Sequence, residues 1–199
     1  ICDTLARFKR LEGYEVLFIT GVDEHGQKIE RKALENKQEP KAHCDKITNT
    51  YIELWNIYDI SYDRFIRTTD PTHESFVHLF FNQVQSSNDI YLGRQQGWYC
   101  VGCEEYKEYN NTNKPICETH KKALEWRDEE NLFFRLSKYQ KQIENLLGKE
   151  EFVHPNSRLN EIRKFVEQGL RDFSISRVDV KWGISVPGYP GHTFYVWFD

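Results

Sequence analysis

Methionine is absent from all 199 residues, and the first residue is isoleucine. With no initiator, the chain reads as an interior portion of a longer protein, with some functional residues expected outside it. No apolar run approaches the roughly 20 residues of a spanning helix, so no membrane partner is expected, and no secretory apolar segment is visible. A surplus of positive charge is lacking too: 27 Lys and Arg stand against 31 Asp and Glu, a formal net charge of −4. General attraction to nucleic acid or acidic membrane is therefore not built in, and any nucleic-acid contact must rest on a local patch. A disulfide framework is not indicated either. The five cysteines are odd in number, and three fall within eighteen positions alongside a histidine, which favours a reducing compartment and a metal site.

What is present organises itself around the stretch from Phe18 to Gly26. Val16, Leu17, Phe18 and Ile19 read as a buried strand. At its carboxyl end stand Gly21, Asp23, Glu24, His25 and Gly26, ahead of an amphipathic segment from Gln27. In open α/β sheets that edge is where ligands bind. An acidic turn flanked by glycines suits a cationic group, an ammonium or a metal; the alternative is a loop whose Asp caps the next helix.

The rest of the chain gives a context. Leu5, Phe8 and Leu11 have helical spacing, with Gly13 where a C-terminal cap belongs. Residues 27–36 predict a helix bearing Ile29, Ala33 and Leu34. Pro40 opens another, with Ile47, Tyr51, Leu54, Trp55 and Tyr58 as its apolar face. A short strand is expected over 64–69. Asp70 and Pro71 then signal a helix carrying Phe76, Phe80 and Val84, ended by residues 86–89. Beyond Asp89 the pattern changes. Residues 90–94 and 97–100 read as paired strands about a Gln95, Gln96, Gly97 turn, and residues 110–115 as a solvated loop. Leu132, Phe133 and Phe134 suggest a strand, and Ser137 with Gln140 a capping box for a helix carrying Ile143, Leu146 and Leu147. A further helix is expected from Asn156, carrying Leu159, Ile162, Phe165 and Val166. Residues 171–199 return to strand patterns, ending in a strand-like run from Thr193 to Phe198. The expected architecture is α/β: a first part over 1–88, a β-rich insertion over 89–190 with two late helices, and the start of a second part over 191–199.

Cys100 and Cys103 form one chelating pair, and Cys117 and His120 a second, separated by thirteen residues. Three thiolates and an imidazole match structural zinc. All four positions would be filled by protein, which leaves no place for a substrate or activated water. Cys2 and Cys44 lie on helix-like segments and are expected in the core.

Phe18 to Ile29, Phe65 to Asp70, the knuckle from Trp98 to His120, Ile175-Ser176-Arg177 and Phe194 to Asp199 together resemble the methionyl-tRNA synthetase family, in that family's order. The resemblance implies a class I aminoacyl-tRNA synthetase, whose Rossmann-type parallel sheet is split by a connective-peptide insertion with a zinc knuckle at about residues 100–120. It implies ATP-dependent activation of methionine to methionyl-adenylate and transfer to tRNA(Met), with ATP and Mg as substrate and counter-ion. It also implies three substrate contacts: Asp23 to the α-ammonium of methionine, Arg177 near its carboxylate during adenylate formation, and Trp197 lining the side-chain pocket. With the metal assigned to Cys100, Cys103, Cys117 and His120, Asp23 is left for an organic cation. His25 acquires no contact. The family's HIGH-type and KMSKS-type ATP motifs would lie outside the chain, so this stretch alone is expected not to activate an amino acid. The parent protein is expected in the cytoplasm, with an organelle as the alternative. The rival readings are a synthetase for another apolar amino acid and a non-catalytic zinc-stabilised module that binds RNA or protein.

Overall fold

The computed structural model describes residues 1–108, 115–149 and 152–199. Helix α1 (Cys2–Leu11) ends at Gly13, whose φ of +85° lets the Gly13 and Tyr14 N–H groups close on Arg10 O and Lys9 O. Strand β1 (Ile19–Val22) follows, then α2 (Gln27–Glu35), α3 (Pro40–Ile57), β2 (Arg64–Arg67) and α4 (Pro71–Ser86). Proline stands in the first turn of both α3 and α4. β1 and β2 pair in parallel, Ile19 opposite Arg64 and Val22 opposite Arg67, so the two following loops emerge side by side at one edge.

The polar faces of these helices do much of the docking, which the apolar spacing does not reveal. Asp3 of α1 accepts hydrogen bonds from the Ser61 N–H and hydroxyl, and Arg10 pairs with Asp63 at 2.7 Å. Leu5, Phe8 and Leu11 are consequently exposed, as are Leu17 and Ile19; the strand expected to be buried is open and begins only at Ile19. On α2, Ala33 is buried and Leu34 is not. α3 buries His43, which bonds Gln38, and Cys44 and Thr48, which bond Glu24 in the loop after β1, and leaves Ile47, Tyr51, Leu54 and Tyr58 exposed. α4 buries Val77 and Phe81; Phe76 and Phe80, one position earlier, are exposed.

The largest departure lies after Asp89. Residues 90–100 form no hairpin but one strand, β3 (Ile90–Cys100), paired antiparallel along its length with β5 (Glu125–Phe134). Gly93 and Gly97 make room for neighbours: a Cβ would meet Phe133 at 3.0 Å and Tyr106 at 3.2 Å respectively. β4 (Glu105–Lys107) and β6 (Phe173–Ser174) complete the sheet in the order β4-β3-β5-β6. The capping box is not made. Ser137 sits in a short 3-10 turn, its N–H and hydroxyl donating to Asp172, and α5 (Gln140–Leu147) starts without a side-chain cap. α6 (Asn156–Glu167) packs on α5 through Leu147, Leu159 and Val166, with Phe165 exposed. Of the expected solvated loop, residues 110–114 lie outside the described residues, and Pro115 is fully buried. The last strands are short: β7 (Ser176–Arg177) pairs with β8 (Thr193–Phe194), after which the expected strand gives way to a turn closed by Phe198 N–H on Tyr195 O.

Val77, Phe81, Leu132, Ile175, Ile184 and Phe194 make the main core. It joins α4, the antiparallel sheet and the final segment, and so fixes the final turn against the carboxyl edge of β1. No helix of the described residues is long and apolar enough to cross a membrane.

Candidate functional site

Beyond Val22 the chain places adjacent acids in opposite environments. Glu24 turns inward and is 3 % exposed. Its carboxylate accepts hydrogen bonds from Thr48 (2.6 Å), from Arg67 Nε (3.0 Å) and Nη2 (2.7 Å), and from Thr69. Arg67 also reaches Asp45 at 2.6 Å. Burial alone would raise the Glu24 pKa, but these hydrogen bonds outweigh it and hold the carboxyl below its usual range. The Glu24 carbonyl accepts from the Trp182 indole N–H, and Gly26 N–H donates to Trp182 O at 3.2 Å.

Asp23 is exposed and lines, together with Glu24, a cavity of about 470 Å³ between α2 and α3. Partial removal from water is the largest cause raising its pKa; the His25 N–H on Oδ1 opposes this, and the nearby Asp199 charge adds to it. A carboxylate raised by its surroundings is one that a bound cation would relieve. Asp23 does not cap α2. That helix starts at Gly26 with φ +103°, and a Cβ there would lie 2.3 Å from Glu104 Oε1.

Arg177 is buried on β7. Its Nη1 donates to Ser174 Oγ at 2.6 Å and Ser176 O at 2.8 Å, and its guanidinium lies 4.0 Å from the centre of the Tyr195 ring. Among the described residues it forms no ion pair, and its buried Nε has no partner, so it retains charge and a donor for an anionic oxygen. It lines a tight cleft with Gly26, Glu104 and Tyr195, separate from the cavity beside Asp23. Glu104 feels both groups: burial raises its pKa first, the Asp23 charge raises it further, and Arg177 lowers it. Asp23 and Arg177 thus flank one carboxylate. Trp197 lines neither space and is 77 % exposed on the final turn.

Cys100, Cys103, Cys117 and His120 converge, their ligand atoms all within 4.8 Å of one another. Cys103 Sγ lies 3.6 Å from Cys117 Sγ and 3.3 Å from His120 Nδ1, and Cys117 Sγ lies 3.7 Å from His120 Nδ1. Two thiolates about 2.3 Å from a tetrahedral ion stand about 3.8 Å apart, so the cluster is the size such an ion needs. Each pair is a turn that points an N–H at its own first sulfur, Cys103 N to Cys100 Sγ and His120 N to Cys117 Sγ. The His120 N–H is the main cause lowering the Cys117 thiol to about 6. Gly102 completes the fit, since a Cβ there would lie 2.7 Å from the His120 ring. Cys44 is buried as expected; Cys2 is exposed on the first turn of α1.

The sequence model of the family described as tRNA synthetases class I (M) matches residues 1–110 and 107–199. The chain belongs to the class I tRNA synthetases (M). It is 55 % identical over its full length to methionine–tRNA ligase of Synechocystis sp., of which it covers 38 %, and 50 % identical to the chloroplastic/mitochondrial methionine–tRNA ligase of Arabidopsis thaliana, covering 99 % of this chain and 32 % of that one. The structure of Mycobacterium tuberculosis methionyl-tRNA synthetase in complex with methionyl-adenylate superposes with a TM-score of 0.90 at 35 % identity, covering 98 % of this chain and 40 % of the other. The chain therefore spans about a third to two fifths of the length of these relatives.

Several residues that shape this site escape a reading by motif. Glu24 and Arg67 are one such pair; the parallel register sets Arg67 beside Val22, but nothing local marks which acid turns inward. Trp182 and Glu104 approach the loop from 158 residues and 80 residues along the chain, and only the tertiary fold brings them there.

Proposed function

We propose that this chain is the methionine-binding part of a methionine–tRNA ligase. The observation that carries the reading is the match, over nearly the whole chain, to a synthetase described as holding methionyl-adenylate. In the full-length protein the carboxylate of methionine attacks the α-phosphate of ATP, with Mg as its counter-ion, and releases pyrophosphate; the terminal ribose hydroxyl of tRNA(Met) then attacks the acyl carbon of the adenylate, breaks its bond to the phosphate and releases AMP. No protein nucleophile is required, and the acceleration comes from positioning and charge.

Asp23 holds the α-ammonium in this reading, which its accessible and raised carboxyl supports. Arg177 steadies negative charge at the carboxylate, supported by its free Nε and its lack of an ion pair among the described residues. Trp197 forms a wall of the side-chain pocket, a large ring suited to a thioether. The ion in the cluster is zinc, held by Cys100, Cys103, Cys117 and His120; it supplies cross-linking of the knuckle and no chemistry, because the donor set is closed. Residues 1–88 and 191–199 belong to the catalytic unit and 89–190 to the connective-peptide insertion. The protein works in the cytoplasm or an organelle; the plant relative's name, chloroplastic/mitochondrial, supports the organelle. Exposed Leu5, Phe8, Leu11 and Leu17 support the rest of the catalytic unit packing on α1 and β1.

The test is ATP–pyrophosphate exchange by the full-length protein with methionine, leucine, isoleucine or valine. Exchange with methionine is expected, and Asp23→Ala is expected to lower its kcat/KM by about a hundredfold or more. Exchange driven by another of the four would make this a different synthetase. No exchange with any of them would point to a non-catalytic module.

A further inference from the structure

His25 and Asp199 form a pair that the assigned contacts do not use. His25 Nδ1 donates to Asp199 Oδ2 at 2.7 Å, with side chains 3 % and 1 % exposed. The second oxygen of Asp199 is buried without a partner, and the edge of Trp182 closes the other side of the imidazole, ring centres 5.5 Å apart. Burying such a pair is costly, and an apolar pair of the same volume would serve packing at least as well. What the pair does supply is a directional bond between two segments 174 residues apart.

The positions it joins are notable for their neighbours. Asp23 lies two residues before His25, and its Oδ1 accepts the His25 N–H at 3.3 Å. Trp197 lies two residues before Asp199, and between them the partly buried Phe198 packs against the core, stacked on Phe194 at 5.1 Å. On each side, then, an accessible residue sits beside a buried anchor: Asp23 beside His25, Trp197 beside Asp199. We propose that the His25 to Asp199 bond is a latch that sets the distance between Asp23 and Trp197, making His25 a positioning residue for methionine. The proposal rests on the reading above, in which those two residues hold the ammonium and the side chain. An amino acid bound at both ends reports this spacing directly, whereas ATP binding does not.

The experiment is exchange kinetics on the full-length protein with His25→Leu, His25→Asn and Asp199→Ala. Leucine fills the space without a donor; asparagine keeps one near the position of Nδ1. His25→Leu is expected to raise KM for methionine about tenfold, the scale of a lost charge-assisted hydrogen bond, with KM for ATP within about twofold and the metal content unchanged. His25→Asn is expected to recover most of the loss. A folded His25→Leu protein with unaltered KM for methionine, or a His25→Asn protein as impaired as His25→Leu, would overturn the latch. If His25→Leu fails to fold, Asp199→Ala breaks the same bond from the other side: the same selective rise in KM supports the proposal, and an unchanged KM overturns it. Wild-type protein without methionine-dependent exchange would instead overturn the function on which it rests.

Discussion

Adjacent carboxylates in one loop have been given opposite work by their surroundings. Glu24 is sealed in by Arg67, Thr48 and Thr69, and holds the loop in place; Asp23 keeps its access to solvent. Glu24→Gln keeps the shape but removes one of the two carboxylates that Arg67 pairs with, Asp45 remaining, and is expected to destabilise the fold by about 2 kcal/mol, read from urea unfolding. The pH dependence follows from the same contacts. Because the folded pKa of Glu24 is depressed, its contribution is fully present above the unfolded value of about 4.3 and is lost as pH falls through the lower folded value. Stability measured between pH 6 and pH 3 should therefore fall less steeply in Glu24→Gln than in wild type, and parallel curves would contradict the role. The acidic turn was legible in the sequence as a polar loop at the end of β1, and the family resemblance singled out Asp23 within it. That Glu24 is the acid that turns inward was not legible locally, because the reason lies in Arg67, 43 residues away.

At the level of elements, the signals that survived are those whose chemistry is local. Pro40 and Pro71 start helices and Gly13 ends one, since a fixed φ or a positive φ needs no distant partner. Signals that depend on a partner failed. The glycine at position 97 suggested a turn, yet it lies mid-strand because β5 pairs with all of β3 and Tyr106 needs the room. Ser137 was taken from its capping box by Asp172. α4 offers two overlapping aromatic stripes, and the cluster of Ile184, Phe194 and Leu132 selects Phe81 over Phe80. Gly21 shows the same dependence. It is not at positive φ, but a Cβ there would lie 2.1 Å from the Ile66 backbone carbonyl in the paired strand, which cannot yield without parting β1 from β2. Gly21→Ala is expected to cost about 2 kcal/mol or more. Gly13→Ala meets nothing within 4 Å and should cost only the backbone strain, about 1 kcal/mol. Unfolding midpoints of the two variants give the order directly, and Gly21→Ala as mild as Gly13→Ala would rule out the close approach.

Across the whole molecule, the antiparallel sheet and the turn before β4 are fastened to α2 and to the final segment. Arg31 of α2 forms a bidentate pair with Glu125 of β5 at 2.7 and 3.0 Å, buried Arg127 reaches Gln27, and Tyr195 donates to the Glu104 carbonyl, one residue past Cys103. The cluster that includes Cys103 therefore stands at the root of the joint. Its local packing is thin: Cys100, Cys117 and Leu124, with Trp98 against them, are the buried group around it. With so little apolar surface, three cysteines and a histidine facing one another form a donor set that an ion could cross-link. Purified protein should carry about one equivalent of zinc, and chelation at neutral pH should lower the unfolding midpoint and shift the fluorescence of Trp98 and Trp126, whose rings meet edge to face at 5.3 Å. Because Glu104 fills the space over Gly26, the loss should spread to the loop that carries Asp23, visible as faster amide exchange over residues 23–28. Less than about half an equivalent of metal, with a midpoint that chelation leaves unmoved, would mean that the knuckle holds itself together without an ion. Exchange confined to the knuckle would mean that the joint does not transmit the change.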